Sequence, residues 1–497
     1  MPRHRPNVAF RLVARPAAPE PLGFPAALVP VVALVGLLGL SFFLFGDAAA
    51  SGPNQVALVF CSVVAIFVAW WHGHSIADLR DAGVASVTTG LPAIFILLSV
   101  GALIGTWALS GTLVTMVYYG VMILNPDYFY MTACLICLVV AVSIGSSWTV
   151  AGTLGIGLMG IAKEMGLDPA ITAGAVISGA YFGDKLSPVS GTANLACAAA
   201  GANLYDHVRE SLWTSGVSLA IALALFWSLG SDMDFDASGV TGRIAAAFQP
   251  SLVHFLPLLL VLILALLRWP PFIAIFLGAL AGGVLAVADA PERVIGFAGP
   301  GLPTGLALLK GVWAALSSGY VSATGEPAID QLLSRGGMAS MLSTVWLILV
   351  ALAFGGFVEK AGILERLIGP LIAAARSTGA LVATLVGAAF ATNVLASDQY
   401  IAVVLPGRMF RGAFERRGLA PVVLSRALGD SAAVTSPLIP WNSCGAYMAA
   451  TLGVATTSYL PFAFFNILTP LITVAFAFLG FRMLGPKLDH REEVHPK

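Results

Sequence analysis

GDKLSPVSGTANLA, residues 183–196, interrupts one of the most apolar regions of this chain. Asp184 and Lys185 stand side by side, and Ser187, Ser190, Thr192 and Asn194 follow within ten residues. Pro188 removes a backbone donor and Gly191 weakens any helix that continues through it. The setting of these polar groups decides the fold. Of 497 residues, 58% are hydrophobic and only 10% are charged, where a soluble domain carries about a quarter charged residues. Stretches such as 26–45, 55–71, 129–150, 212–230, 251–267, 341–358 and 461–481 hold few or no charges. Each approaches the ~20 residues that a helix needs to cross a bilayer. None alternates with the period of two expected of a membrane β-barrel strand. The sequence therefore predicts an all-α polytopic membrane protein.

A second stretch of the same kind lies downstream. GDSAAVTSPLIPWN (429–442) shares with the first a Gly-Asp pair, then Ser-Pro, then Asn, if a small insertion is allowed. Upstream, residues 145–170 slide without gaps onto 397–422, placing Trp148 on Tyr400, Gly166 on Gly418 and Pro169 on Pro421. Gly105 and Gly111 likewise correspond to Gly356 and Gly362. Two copies of one unit are implied. The connector of the first copy, 162–168, has Lys163 as its basic residue, whereas the second has Arg408, Arg411, Arg416 and Arg417. Basic loops favour the cytoplasm, so equivalent connectors fall on opposite sides. This is the inverted-topology plan of many secondary transporters.

The same rule orients the chain. Residues 1–24 form a basic cytoplasmic tail, 25–230 the first membrane repeat and 231–250 an extracytoplasmic linker with Asp232, Asp234 and Asp236. The second repeat is 251–482, and 483–497 form a cytoplasmic tail carrying Lys487, Arg491 and Lys497. The first apolar run lacks an obvious small-residue cleavage site at its end and follows a basic tail, so it reads as a retained span. Five to seven membrane segments per repeat are expected, and 297–340 reads as an amphipathic surface helix with a short loop.

Four polar stretches break the apolar pattern and pair under the repeat: 144–153, 183–194, 393–400 and 428–442. They supply Ser146, Ser147 and Thr149; Asp184, Ser187, Ser190, Thr192 and Asn194; Asn393 and Asp398; and Asp430, Thr435, Ser436 and Asn442. Non-helical backbone survives at membrane depth only inside protein or beside water, and ionisable groups there usually mark a transport path. Freed carbonyls with hydroxyl, amide and carboxylate oxygens suit Na⁺, a hard cation. The N-termini of half-helices suit an anion. Asp184, Asp398 and Asp430 are the candidate carboxylate ligands. Desolvation favours a neutral carboxyl and a bound cation favours the anion, so Na⁺ and H⁺ compete for one group. Competition joined to alternating access is sufficient for antiport.

Plainer readings stand beside each residue. A single Ser or Thr packs membrane helices closely. Arg426 lies four residues before Asp430, the spacing of a helix-face ion pair. Lys185 can neutralise Asp184 or Asp430, and Glu359 beside Lys360 can cap a helix end. Asp398 has no cation near it in sequence. The Cys134-Leu-Ile-Cys137 pair reads as two small apolar helix residues. Net charge is +0, which gives no electrostatic case for nucleic acid. No phosphate loop of the form GxxxxGK followed by Ser or Thr occurs, which argues against ATP-driven pumping by this chain alone.

At these residues the chain resembles the NhaC-type Na⁺/H⁺ antiporters and their relatives. The resemblance runs through GALIGTWALSGTLVTMVYYG (101–120), GSSWTVAGTLGIGLMGI (145–161), SGAYFGDKLSPVSGTANLA (178–196), ASDQYIAVVLPGRMF (396–410) and DSAAVTSPLIPWNSCGAYMAATLGV (430–454). It implies a secondary transporter of the bacterial inner membrane, with Na⁺ and H⁺ as coupling ions, no other cofactor, and broken or re-entrant helices. It also implies two activities, Na⁺/H⁺ antiport and exchange of small organic acids such as malate against Na⁺-lactate. Where the family pattern has Asp, as in SDTTN, this chain has Gly191. The alternative reading is therefore a Na⁺- or H⁺-coupled exchanger of organic acids or amino acids, with the substrate supplying the missing carboxylate. A remote alternative from another class is an intramembrane aspartyl protease using Asp184 and Asp430. Both lack the first glycine of the GxGD sequence such proteases use.

Overall fold

The computed structural model describes residues 21–230 and 237–485. The charge readings of the two tails and of Asp232, Asp234 and Asp236 fall largely outside them. Among the described residues the chain is helical, with an isolated bridge between Tyr320 and Arg335 as its β pairing. Eight helices are long and apolar enough to span a membrane, and the pair Thr456–Phe462 and Phe464–Phe478, bent by 57°, makes a ninth. Val32, Val35, Phe43 and Leu44 on the first helix are each at least 60% exposed. A soluble protein would not leave such a face in water; it fits hydrocarbon.

The two repeats can be read directly from the chain's turns. Gly145 and Ser397 are both left-handed, as are Gly166 and Gly418, and Gly201 and Gly453. Each pair is separated by 252 positions, with no insertion. Helix limits keep the same register. Ser147–Val150 opens where Gln399–Arg416 opens, and Gly191–Ala200 overlays Ser443–Leu452. Leu204–Ser228 corresponds to the bent pair that begins at Thr456. Upstream the register shifts by one, so that Thr112–Ile123 overlays Ile363–Ala374.

This register corrects the sequence alignment downstream of the breaks. The two Gly-Asp pairs are not equivalent: Asp184 corresponds to Ser436, and Asp430 to Ser178. Pro188 instead falls on Pro440, and Ser190 on Asn442.

Glycine sets the closest helix crossing of the first repeat. A Cβ at Gly179 would lie 2.0 Å from the carbonyl oxygen of Cys134, and one at Gly183 would lie 2.5 Å from the Ala141 methyl. The Pro169–Leu186 helix therefore lies flush on Phe129–Ile144, the small-residue packing common in membranes. The region 297–340 differs from a surface helix with a loop. It holds Thr304–Ser318 and Pro327–Leu333, and its Gly337 amide donates to the Gly101 carbonyl, 2.7 Å away. That contact lies inside the long Ile76–Ser110 helix. Asp330 organises the loop, accepting from Ser322, Thr324 and Gly325; these donors hold its carboxyl down at about 2.

Candidate ion-binding site

Four half-helices begin around one place. Each has a side chain closing its first turn: Ser146 accepts from the Thr149 amide, Ser190 from Ala193, Asp398 from Tyr400 and Ile401, and Asn442 from Cys444. Ser, Asp and Asn are favoured at these positions because they satisfy amides the helix leaves free. The prolines and glycines that looked like breakers are what frees the turns between the half-helices. Directly after the first break the helix continues through a π-turn, Ala151–Gly155, and a second π-turn, Gly429–Ala433, carries Asp430.

The first turns of all four half-helices line one cavity of about 900 Å³, through Ser147, Thr192, Gln399 and Cys444 among others. Its floor is built from both copies. Ser146 and Asp398 are register equivalents, as are Ser147 and Gln399, Trp148 and Tyr400, and Gly191 and Ser443, and all eight line it. Two carboxylates, Asp184 and Asp398, stand in its wall together with the basic Arg268. Asp398 and Tyr400 also line a neighbouring cavity of about 920 Å³, whose wall holds Glu359, Lys360, Glu365 and Arg408.

Asp184 is the centre of the polar cluster. Its Oδ2 accepts from the Ser147 amide at 3.2 Å and from the Ser147 hydroxyl at 2.8 Å. Its Oδ1 accepts from Ser190 Oγ at 2.5 Å, and Ser190 meets Thr192 Oγ1 at 2.8 Å. One carboxylate thus gathers three hydroxyls and a helix N-terminal amide, from both broken segments of the first repeat. Asp398 sits on the N-terminus of the Gln399–Arg416 helix, its Oδ1 accepting two amides at 2.8 and 3.0 Å. Both aspartates face positive helix ends, which stabilises negative charge in an apolar setting.

The second copy keeps the geometry of the first with different chemistry. Where Ser147 meets Asp184, the equivalent Gln399 accepts from Ser436 Oγ at 3.1 Å, and also from Cys444 Sγ at 3.1 Å. Where Ser190 serves the carboxylate, Asn442 instead donates to the carbonyl and the side-chain oxygen of Asn393, each at 3.1 Å. Asn393 in turn donates to the Ala432 carbonyl and to Thr435. Asn393, Thr435, Ser436 and Asn442 therefore hold the second break together from behind the cavity wall. Ser187 has a similar task, donating to the Val142 carbonyl at 2.7 Å.

Asp430 is turned away from the cavity. It is fully buried, ion-paired to Lys185, and accepts from Thr214 at 3.1 Å and Thr473 at 2.6 Å. Lys185 also donates to Ser215. The helix-face pair expected between Arg426 and Asp430 is not what forms; Arg426 lies 3.9 Å from Glu210, which Arg482 approaches at 3.6 Å. Adjacent side chains on one helix point different ways, so Asp184 and Lys185 serve separate environments. The separation also leaves Asp184 and Asp430 without a shared dyad, removing the geometry a protease would need. Among the described residues no group of three or more His, Cys, Asp and Glu side chains is placed to hold a metal ion, and the five cysteines are free and buried.

Sequence reasoning passed over Gln399, Ser443 and Cys444, which line the cavity. The gapless register was the available signal, since it sets Gln399 opposite Ser147. It also passed over Ser397, a buried non-glycine residue with φ of 59° whose hydroxyl finds no partner among the described residues.

The model of the Na⁺/H⁺ antiporter family matches residues 22–230 and 179–481. The chain belongs to the Na⁺/H⁺ antiporter family. This antiporter is 35% identical over 430 residues to the Na⁺/H⁺ antiporter NhaC of Alkalihalophilus pseudofirmus, covering 86% of this chain and 90% of that one. It is 35% identical over 470 residues to the arginine/ornithine antiporter ArcD of Halobacterium salinarum, covering 93% of each. It is 32% identical over 449 residues to the malate-2H⁺/Na⁺-lactate antiporter of Bacillus subtilis, covering 89% of this chain and 92% of that one. These relatives are transporters, and this chain is a secondary transporter of the same class, not an enzyme.

Proposed function

We propose that this antiporter exchanges Na⁺ for H⁺ across a bacterial inner membrane, with both ions competing for Asp184. The observation that carries this reading is the cluster of Ser147, Ser190 and Thr192 hydroxyls around one carboxylate in the cavity wall. When the carboxyl is protonated, these hydroxyls complete its hydrogen bonds. When it is ionised, the same oxygens turn their lone pairs to a bare cation. Asp398 adds a second negative charge to the same cavity, and Lys185 is spent on Asp430, so the ammonium next in sequence to Asp184 does not compete with the ion there. Reconstituted protein should release protons when Na⁺ is added outside acid-loaded proteoliposomes. Sodium-independent proton movement, with the protein folded, would overturn the reading.

A second reading has two observations in its favour. A cavity of about 900 Å³ far exceeds one desolvated cation, and Gly191 removes a carboxylate that the family pattern supplies. An organic acid or amino acid would then travel with the ion. Counterflow of labelled malate, lactate or arginine against unlabelled substrate separates the readings.

Gly191 also offers a direct test. A Cβ placed there meets nothing within 4 Å, and the residue opens the Gly191–Ala200 helix at the cavity. Gly191→Asp is therefore expected to fold and to lower half-saturating Na⁺ about tenfold, or ~1.4 kcal/mol. That is a fraction of the ~4 kcal/mol two unit charges exchange at ~4 Å under an effective dielectric constant near 20. An unchanged Na⁺ dependence in an active variant would place position 191 outside the ion's reach.

A further inference from the structure

We propose that a small cavity of about 210 Å³ beside Pro440 is the closed second mouth of the transport path, with Trp148 and Tyr447 as the gate that shuts it. The inference rests on the transporter reading above and adds the route and the moving parts.

The repeat register identifies the mouth. The large cavity is walled in part by Pro188, Leu204 and Tyr205, whose equivalents 252 positions on are Pro440, Thr456 and Thr457. All three line the small cavity. The long helix repeats the pattern in its own register. Ala93 and Ile96 wall the large cavity, and their equivalents Thr344 and Leu347 wall the small one. The operation that exchanges the two copies therefore carries one cavity wall onto the other. The floor residues Ser147 and Gln399 exchange with each other and stay in place. With the copies inverted, as their connector charges indicate, the image of an open mouth lies on the opposite membrane face. The two differ in volume, about 900 Å³ for one mouth and about 210 Å³ for its image, and in this scheme the smaller is the narrowed one.

The same register identifies the gate. Trp148 and Tyr447 stack at 4.0 Å between ring centroids and 11° between planes, and the Tyr447 hydroxyl donates to the Trp148 carbonyl at 2.8 Å. Tyr447 lies on the Ser443–Leu452 helix between Cys444, which lines the large cavity, and Ala449, which lines the small one. The equivalents of this pair are Tyr400 and Leu195. Both stand in the wall of the open cavity of about 920 Å³ on the other side of Asp398. In this scheme the stacked pair is the shut gate, and Tyr400 and Leu195 hold the equivalent place beside an open cavity. Transport in this scheme parts Trp148 from Tyr447 and closes Tyr400 on Leu195.

Single-cysteine variants test the route. Ala93→Cys and Thr344→Cys, each in a background where the five native cysteines are replaced, are treated with an impermeant maleimide in right-side-out and in inverted vesicles. Ala93→Cys should label from one face only and Thr344→Cys from the opposite face only, the latter during substrate-driven exchange. Adding Trp148→Ala should raise Thr344→Cys labelling roughly two- to tenfold and lower that of Ala93→Cys, the shift expected from losing one aromatic pair. Labelling of both from the same face, or no labelling of Thr344→Cys during active exchange, overturns the proposal. If Trp148→Ala does not fold, the sidedness of Thr344→Cys in the otherwise unaltered gate still decides. Absence of any exchange by the unmodified protein would instead defeat the transporter reading.

Discussion

Asp184→Asn is expected to reduce Na⁺-coupled proton exchange by at least about a hundredfold while leaving the fold intact. The substitution preserves size and one acceptor oxygen, so the Ser147 hydroxyl and amide keep a partner. What disappears is the group that can be either protonated or charged. Hydrogen bonds to a charged partner contribute ~1.5–3 kcal/mol and those between neutral groups ~0.5–1.5 kcal/mol. The stability change should therefore stay within a couple of kcal/mol, visible as a modest shift in thermal unfolding. A loss of about 2.7 kcal/mol in cation binding is already a hundredfold, and losing the proton site removes coupling altogether. Ser436→Ala makes the matched control, since Ser436 holds the equivalent position and contacts Gln399 as Asp184 contacts Ser147. Its exchange rate should fall far less. Proton release and labelled Na⁺ uptake on one preparation read both outcomes. Robust Na⁺/H⁺ exchange by Asp184→Asn would remove Asp184 from the transport step.

Much of this was legible before any coordinate. Apolar runs of span length fix the class, because a bilayer gives a helix of that composition nowhere else to go. The broken helices were legible for a local reason: Pro188, Gly191 and the Ser and Asn residues near them act on the backbone within one turn. The pairing of Gly-Asp with Gly-Asp misled because side-chain identity outranked spacing. The backbone shows the opposite priority, with left-handed turns and helix limits 252 apart and the two aspartates at different heights in their helices. The partner of Lys185 was not legible either. It depends on where helices 245 residues apart come to rest, and the sequence offered Asp184 and Asp430 equally. The shared floor follows from the register once that is known, but only packing reveals that Gln399 faces Ser436 and Cys444.

The Lys185–Asp430 pair gives the largest expected stability effect, because neither side chain reaches water: they are 2% and 0% exposed. Removing one partner leaves a charge in low dielectric, hydrogen-bonded by Thr214 and Thr473, with Arg426 and His207 close enough to interact but not ion-paired to it. Lys185→Met should therefore destabilise the protein by about 3–5 kcal/mol. Replacing both groups removes the desolvation penalty together with the attraction, so adding Asp430→Leu should recover most of that loss or exceed the starting stability by up to a few kcal/mol. The pair ties the Pro169–Leu186 helix of the first copy to the π-turn of the second, and it does so behind the cavity rather than in it. A stabilising tie predicts that the double variant, once folded, still exchanges ions. Thermal unfolding in detergent and exchange in proteoliposomes separate the possibilities. A double variant as unstable as Lys185→Met would show that hydrophobic packing cannot replace the pair. A stable double variant that moves no protons would make Lys185 and Asp430 part of the transport cycle, with Asp184 no longer sufficient for coupling.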